Sequence, residues 1–123
     1  MSELKNTYLE LIHKLFKTFK TQNYHEAASL LSPEFKFTSP YNDAIDKTSY
    51  FESCWPNAHL LQDLTLERIM IDGPAAFVSY EASTSEGIKF RNTEFFSFEG
   101  DQISSIEVYF GAAYQNGIFS RMR

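Results

Sequence analysis

The chain changes its hydrophobic period partway along, and this change limits the possible folds more than any other feature. Up to Trp55 the apolar residues recur at helical spacing; beyond Leu60 they alternate, in runs separated by short glycine-bearing turns. Leu4, Tyr8, Leu11, Ile12, Leu15, Phe16 and Phe19 form one stripe, with Glu10, Lys14 and Lys17 opposite, which predicts a long amphipathic helix. Asn23-Tyr-His-Glu26 reads as a capping box opening a second, short helix that buries Ala27, Leu30 and Leu31 and stops at Ser32-Pro33. Phe35 and Phe37 mark a short strand, ended by the turn-rich Ser39-Pro40-Tyr41-Asn42-Asp43. Asp46 then caps a third helix through roughly Trp55, closed by Pro56.

Leu60 to Ile71 alternates imperfectly, as a long strand with a bulge does. Turns at Asp72-Gly73-Pro74, Ser85-Glu86-Gly87 and Glu99-Gly100-Asp101 connect it to strands 75–84, 88–98 and 103–111, an antiparallel meander. Helices first and strands afterwards predict an α+β fold: three N-terminal helices packed on a curved, mainly antiparallel sheet enclosing a pocket. At 123 residues, with no repeat or linker, the chain reads as one domain, 1–123.

A formal charge of −5 argues against nucleic acid, because phosphate binding needs clustered Lys and Arg. No apolar run reaches membrane-spanning length and no signal-type stretch opens the chain, so a cytoplasmic protein with no membrane contact is expected. One cysteine, Cys54, excludes an internal disulfide and a cysteine zinc cluster. His13 and His25 lack a partner four residues away; no metal and no cofactor are expected. Twelve Phe and seven Tyr fit either an aromatic-lined cavity or a phenylalanine-heavy core.

The run Ile88-Lys-Phe-Arg-Asn-Thr-Glu-Phe-Phe-Ser-Phe98 holds an acid on its greasier face, which carries Ile88, Phe90, Asn92, Glu94, Phe96 and Phe98. A carboxyl withdrawn from water is destabilised in its charged form, so its pKa rises and it becomes a hydrogen-bond donor or general acid. Which residues face Glu94 depends on pairing. A two-residue loop at Ser85-Glu86 sets Ser79 opposite Asn92, placing Phe77, Ser79 and Glu81 on the face of Phe90, Asn92 and Glu94. The period of residues 75–84 taken alone buries Val78 and Tyr80 and exposes Glu81. The loop and the period thus bury opposite faces of residues 75–84. Covering both faces removes the conflict, with helices inside and a second subunit on an outer face of Val78, Tyr80 and Phe95, where Arg91 stacks on Tyr80. A homodimer through the outer sheet face is therefore expected. On the last strand Ile106, Val108 and Phe110 fit the inner face, with Glu107 and Tyr109 outside.

This order of elements, with Ser39-Pro40-Tyr41, Asn92-Thr-Glu-Phe-Phe-Ser-Phe98 and Gly100-Asp-Gln-Ile103, resembles the cone-shaped, cystatin-like α+β family of nuclear transport factor 2, ketosteroid isomerase and the SnoaL-like polyketide cyclases. The resemblance runs from about Leu4 to Gly111. Ketosteroid isomerases keep a neutral carboxylic acid in the penultimate strand, where Glu94 falls. Their base, an Asp before Pro, is Ser39 here, and their oxyanion tyrosine is Phe16. The Asp-Arg-Asp set of limonene-epoxide hydrolases maps approximately onto Glu81, Ser83 and Val108. The resemblance thus implies a cavity with an acid, and disfavours both of those reactions by their usual routes.

Two uses of such a cavity follow. One is an isomerase, cyclase or dehydratase acting on a small apolar or ring-containing molecule, with Glu94 as acid and Glu81, Asp43 or His59 as base. The other is a non-catalytic ligand-binding or protein-interaction module in which Glu94 orients the guest. Either way Phe16, Tyr41, Trp55 and Phe77 are expected as apolar wall, Ser39, Ser79 and Asn92 as polar contacts, Phe90, Val108 and Phe110 as floor, and His59 at the mouth. Against this, Asp43 also reads as a turn residue, His59 as an idle loop histidine, and the aromatics as core.

Overall fold

The computed structural model describes residues 2–122. Helix α1 (Ser2–Thr21) is followed by α2 (Tyr24–Leu30), strands β1 (Leu31–Ser39) and β2 (Asn42–Asp46), and helix α3 (Lys47–Ser53). A 3-10 segment, Trp55–Leu60, leads into β3 (Leu61–Asp72), β4 (Ala75–Thr84), β5 (Ile88–Glu99), β6 (Gln102–Gln115) and β7 (Ile118–Met122). The three α-helices pack on one mixed sheet of order β2-β1-β6-β5-β4-β3, with β7 paired to β6 outside that path. Among the described residues no helix is long and apolar enough to cross a membrane.

Local signals set most of these boundaries. The Asn23 side chain accepts from Glu26 N–H to open α2, and Asp46 accepts from Ser49 N–H to open α3. The hydrogen bond holds the Asp46 carboxyl below its usual range. The third helix stops at Ser53, and Pro56 lies in the first turn of the 3-10 segment that continues toward the sheet. Lys47 donates to the carbonyls of Ala28 and Leu31 at 2.8 and 2.9 Å, tying the end of α2 to the start of α3.

Two parts of the sheet lie beyond the expected meander. Ser39-Pro40-Tyr41-Asn42-Asp43 is a tight β1–β2 hairpin, with Ser39 opposite Asn42, and Asp43 is an exposed residue of β2. Strand β1 also pairs parallel to β6, where Phe37 meets Ile106. Strand β6 runs on to Gln115, four residues past Gly111, and its chain returns as β7. In β3 the register shifts at Leu61/Asp63 and Leu66/Arg68, the expected bulges that bend an edge strand.

The register of β4 on β5 resolves the disagreement over faces. Tyr80 is opposite Asn92, Val78 opposite Glu94 and Ala82 opposite Phe90. The loop has three residues, Ser85-Glu86-Gly87, because Gly87 at φ +82° closes it with its N–H on the Thr84 carbonyl. One residue more than a two-residue turn exchanges the faces of β4. Val78 and Tyr80 are therefore buried under the helices, while Phe77, Ser79 and Glu81 lie on the outer face, where Glu81 pairs with Arg91 at 2.7 Å. Stacking of Arg91 on Tyr80 is thereby excluded, since they occupy opposite faces.

The core under the helices joins Ile12, Leu15 and Phe16 of α1 to Phe35, Phe96, Ile103 and Ile106 of the sheet. One buried polar contact anchors α1 to the 3-10 segment. The Trp55 indole N–H donates to Thr18 Oγ1 at 3.1 Å, and Thr18 Oγ1 donates onward to the Leu15 carbonyl at 2.6 Å. Thr18→Val keeps the shape and leaves the indole N–H without its acceptor, so it is expected to destabilise the fold by about 1–3 kcal/mol. Urea unfolding of Thr18→Val against Thr18→Ser measures this, and equal stability of the two would remove the anchoring role.

Candidate functional site

Helices and sheet enclose a hollow of about 680 Å³. The sheet supplies Tyr80 from β4, Phe90, Asn92 and Glu94 from β5, and Val108 and Phe110 from β6. The opposite wall is Phe19 of α1, Tyr50 of α3, Cys54 and Trp55, and the β1–β2 hairpin adds Ser39, Tyr41 and Asn42. Leu60 and Tyr41 are 60% and 79% exposed, which puts them at the mouth, whereas Tyr50, Tyr80, Asn92 and Glu94 are buried. Tyr41 leans edge-on against Phe110, with ring centroids 5.5 Å apart.

Four residues form a directed chain of hydrogen bonds in the sheet wall. Gly111 N–H donates to Asn92 Oδ1 at 3.3 Å, Asn92 Nδ2 donates to the Tyr80 hydroxyl at 3.2 Å, and that hydroxyl donates to Glu94 Oε2 at 2.8 Å. The direction is set at its start, because a backbone N–H can only donate. This turns the Asn92 amide so that its NH₂ faces the phenol, and a phenol oxygen accepting there keeps its own proton for the carboxyl. The register irregularity between Phe90 and Asn92 brings Gly111 into place. Only glycine fits, since a Cβ at residue 111 would collide with the Arg91 carbonyl oxygen.

Burial raises the Glu94 carboxyl from its ordinary 4.5 to about 7, and the Tyr80 hydrogen bond opposes part of that rise. Near neutral pH the group is thus divided between acid and carboxylate. Tyr50 is raised well above its ordinary value, first by burial and then by the nearby Glu94 charge and Cys54, so it remains a phenol and a donor. Burial also raises the Cys54 thiol, which accepts from Asn42 Nδ2 at 3.5 Å and is a poor nucleophile in this state. Among the described residues no group of three or more His, Cys, Asp or Glu is placed to hold a metal.

The structure brings Glu94, Asn92, Phe90, Val108, Phe110, Trp55, Tyr41 and Ser39 together around the hollow. Phe16 sits behind that wall, edge-on to the Tyr80 ring at 5.3 Å. Five expected residues are elsewhere. Phe77, Ser79 and Glu81 face outward through the register just described. Asp43 is exposed on β2, and His59 is exposed with its ring turned back on the Pro56 carbonyl. Its neighbours Ala58 and Leu60 line the hollow instead. Sequence reasoning missed Tyr80 and Tyr50 as site residues. The alternation of residues 75–84 already pointed Tyr80 inward, and Tyr50 lies on the apolar side of α3.

No protein-family model and no curated protein matches the chain; solved structures do. A provisionally assigned ketosteroid isomerase from Kribbella flavida is 24% identical with a TM-score of 0.73, covering 89% of this chain and 82% of its own. A provisionally assigned polyketide cyclase from Sinorhizobium meliloti is 14% identical (TM-score 0.69; 81% and 94% covered). An NTF2-like protein from Cytophaga hutchinsonii is 17% identical (TM-score 0.65; 80% and 85% covered). At these identities the likeness establishes the fold: the chain adopts the NTF2-like α+β cone.

The Glu94 shift makes stability depend on pH. The folded chain holds this proton more tightly than the unfolded one, so the contribution is fully present below about pH 4.5 and is lost as pH rises to about 7. The loss is on the order of 3 kcal/mol. Glu94→Gln cannot titrate, so its unfolding free energy is expected to lack this fall between about pH 4.5 and 7. Urea titrations of both proteins across that range test it; parallel curves would mean Glu94 is solvated.

Proposed function

We propose that the chain binds a small, ring-bearing, largely apolar molecule in the hollow and that Glu94 exchanges a proton with it. The observation that carries this reading is the Tyr80–Glu94 contact at 2.8 Å in an aromatic-lined recess. Tyr80 takes up one carboxyl oxygen, Oε2, and fixes the orientation of the group that lines the cavity. A carboxyl poised near 7 serves as base when ionised and as acid when neutral. With Glu81, Asp43 and His59 outside the hollow, the single carboxyl must do both tasks. The reaction class that suits one carboxyl is isomerisation: the carboxylate removes a proton from a carbon beside a guest carbonyl, and the resulting acid returns it elsewhere. Tyr50, a phenol on the facing wall, is suited to donate to the guest's oxygen. The provisional isomerase and cyclase assignments of structural neighbours agree with this class.

Proton exchange at the α-carbon of a cyclic ketone such as 2-tetralone, followed by NMR in D₂O, tests the chemistry. Glu94→Gln is expected to slow exchange by about 10²-fold or more. Equal rates for the two proteins would leave binding without turnover, the second reading, which the outward position of the other candidate bases favours.

The outer face of the sheet is proposed as the contact between two copies of the chain. Met70, Phe77 and Phe95 lie in register across β3, β4 and β5, with Met70 and Phe77 71% and 49% exposed. The Phe77 and Phe95 rings are 4.8 Å apart. Arg91, between Glu67 and Glu81, and Tyr109 flank this patch. Sedimentation at micromolar concentration is expected to give a dimer for the wild type and a monomer for Phe77→Glu. A monomeric wild type would refute the contact.

A further inference from the structure

A second recess, of about 560 Å³, lies between α1 and β3 and shares Phe19, Ala58 and Leu61 with the hollow as a common partition. All three partition residues are only partly buried. Its character is different from that of the hollow. His13, Lys17 and Lys20 stand at i, i+4 and i+7 on one face of α1, and Leu64 and Leu66 of β3 give an apolar floor. In a chain of formal charge −5 the two lysines are a local concentration of positive charge. Lys14, beside that face but not lining the recess, is already paired with Glu10 at 3.5 Å. Among the described residues neither Lys17 nor Lys20 has an ion-pair partner, and the one acid in the recess, Asp63, takes a hydrogen bond from Ser83 at 3.4 Å.

We infer that the guest of the hollow carries an anionic arm, which passes the Phe19–Ala58–Leu61 partition and lies along Lys17 and Lys20. The inference rests on the proposed use of the hollow and adds the chemical class of the guest: a ring system joined to a carboxylate, sulfonate or phosphate. Electrostatics fixes the orientation. Inside the hollow the negative charge of ionised Glu94 repels an anion in a poorly screened setting, whereas at the recess the arm meets lysines and remains partly hydrated. The C-terminal end of α1 carries a partial negative charge, and Lys20 in its last turn offsets it. Lys17, one turn earlier, is therefore the principal contact.

Two fluorescent probes with the same rings separate the claims: 1-anilinonaphthalene-8-sulfonate, which is anionic, and N-phenyl-1-naphthylamine, which is neutral. Trp55 is the single tryptophan and lines the hollow, so quenching of its emission locates the rings. The wild type is expected to bind the sulfonate more tightly than the amine at low salt, with the difference shrinking as salt is added. Lys17→Ala/Lys20→Ala is expected to weaken the sulfonate about three- to tenfold and leave the amine unchanged. Lys14→Ala is expected to change neither. A sulfonate affinity indifferent to the double substitution, or equal weakening of both probes, overturns the anionic arm and makes these lysines an ordinary solvated helix face. Failure of the amine to quench Trp55 overturns the hollow as a binding site, and the arm with it.

Discussion

The hydrogen bond from Tyr80 to Glu94 is the contact around which the interior of this chain is organised. A carboxyl inside an aromatic recess loses most of its hydration, and a buried acceptor without a donor costs several kcal/mol or forces a proton onto the group. Tyr80 supplies the donor and lowers that cost, but does not abolish the desolvation, which is why the carboxyl rests near 7 and not near 4.5. The donor depends in turn on Asn92, whose amide is oriented by the Gly111 N–H. The glycine is tolerated at a bulge where any side chain would meet the Arg91 carbonyl. A backbone irregularity on one strand thus sets the direction of a proton two side chains away. Each member orients the next, so substitutions along the chain are expected to be coupled and not additive.

The fold class was legible because each segment carries a local instruction. The stripe of α1, the Asn23 and Asp46 caps and the glycine turns of the meander need no distant partner to be read. The parallel pairing of β1 with β6 was not legible, since residues about seventy positions apart decide it and nothing local in Phe35 or Phe37 names β6. Strand β7 was hidden for a related reason. Residues 118–122 are all exposed, so burial imposes no alternation on them, and only the Asn116-Gly117 turn, with both residues at positive φ, marks the hairpin.

The site was half legible, and the reason is a single residue of loop length. Glu94 was identifiable because an acid on the apolar face of an alternating strand is unusual whatever it pairs with. Its neighbours were not, because they belong to another strand, and a one-residue change of register exchanges the two faces of that strand. A two-residue loop places Glu81 on the face of Glu94, opposite Phe90; the three-residue loop closed by Gly87 turns Tyr80 to that face and leaves Glu81 to Arg91. The alternation within β4 itself, apolar at Val78, Tyr80 and Ala82, gave the correct face. Burial of a row of side chains outweighs the preference of a turn for one length, because each reversed residue would cost about a kcal/mol or more.

That exchange also changes what the hollow can do. A carboxylate pair would have split into a strong and a weak acid, with separate roles for each. A phenol beside one carboxyl gives instead a group that is a single acid or a single base, according to its momentary protonation. Chemistry that takes a proton in one step and returns it in a later one suits such a group, whereas a step that needs acid and base at one instant does not. The same reasoning applies to recognition. Neutral Glu94 offers a proton to a guest oxygen, while ionised Glu94 accepts one and repels negative charge nearby. On the proposed use of the hollow, its interior suits an uncharged ring with one polar oxygen, and a charge on such a guest would sit outside the partition, on the side of α1 that carries the lysines.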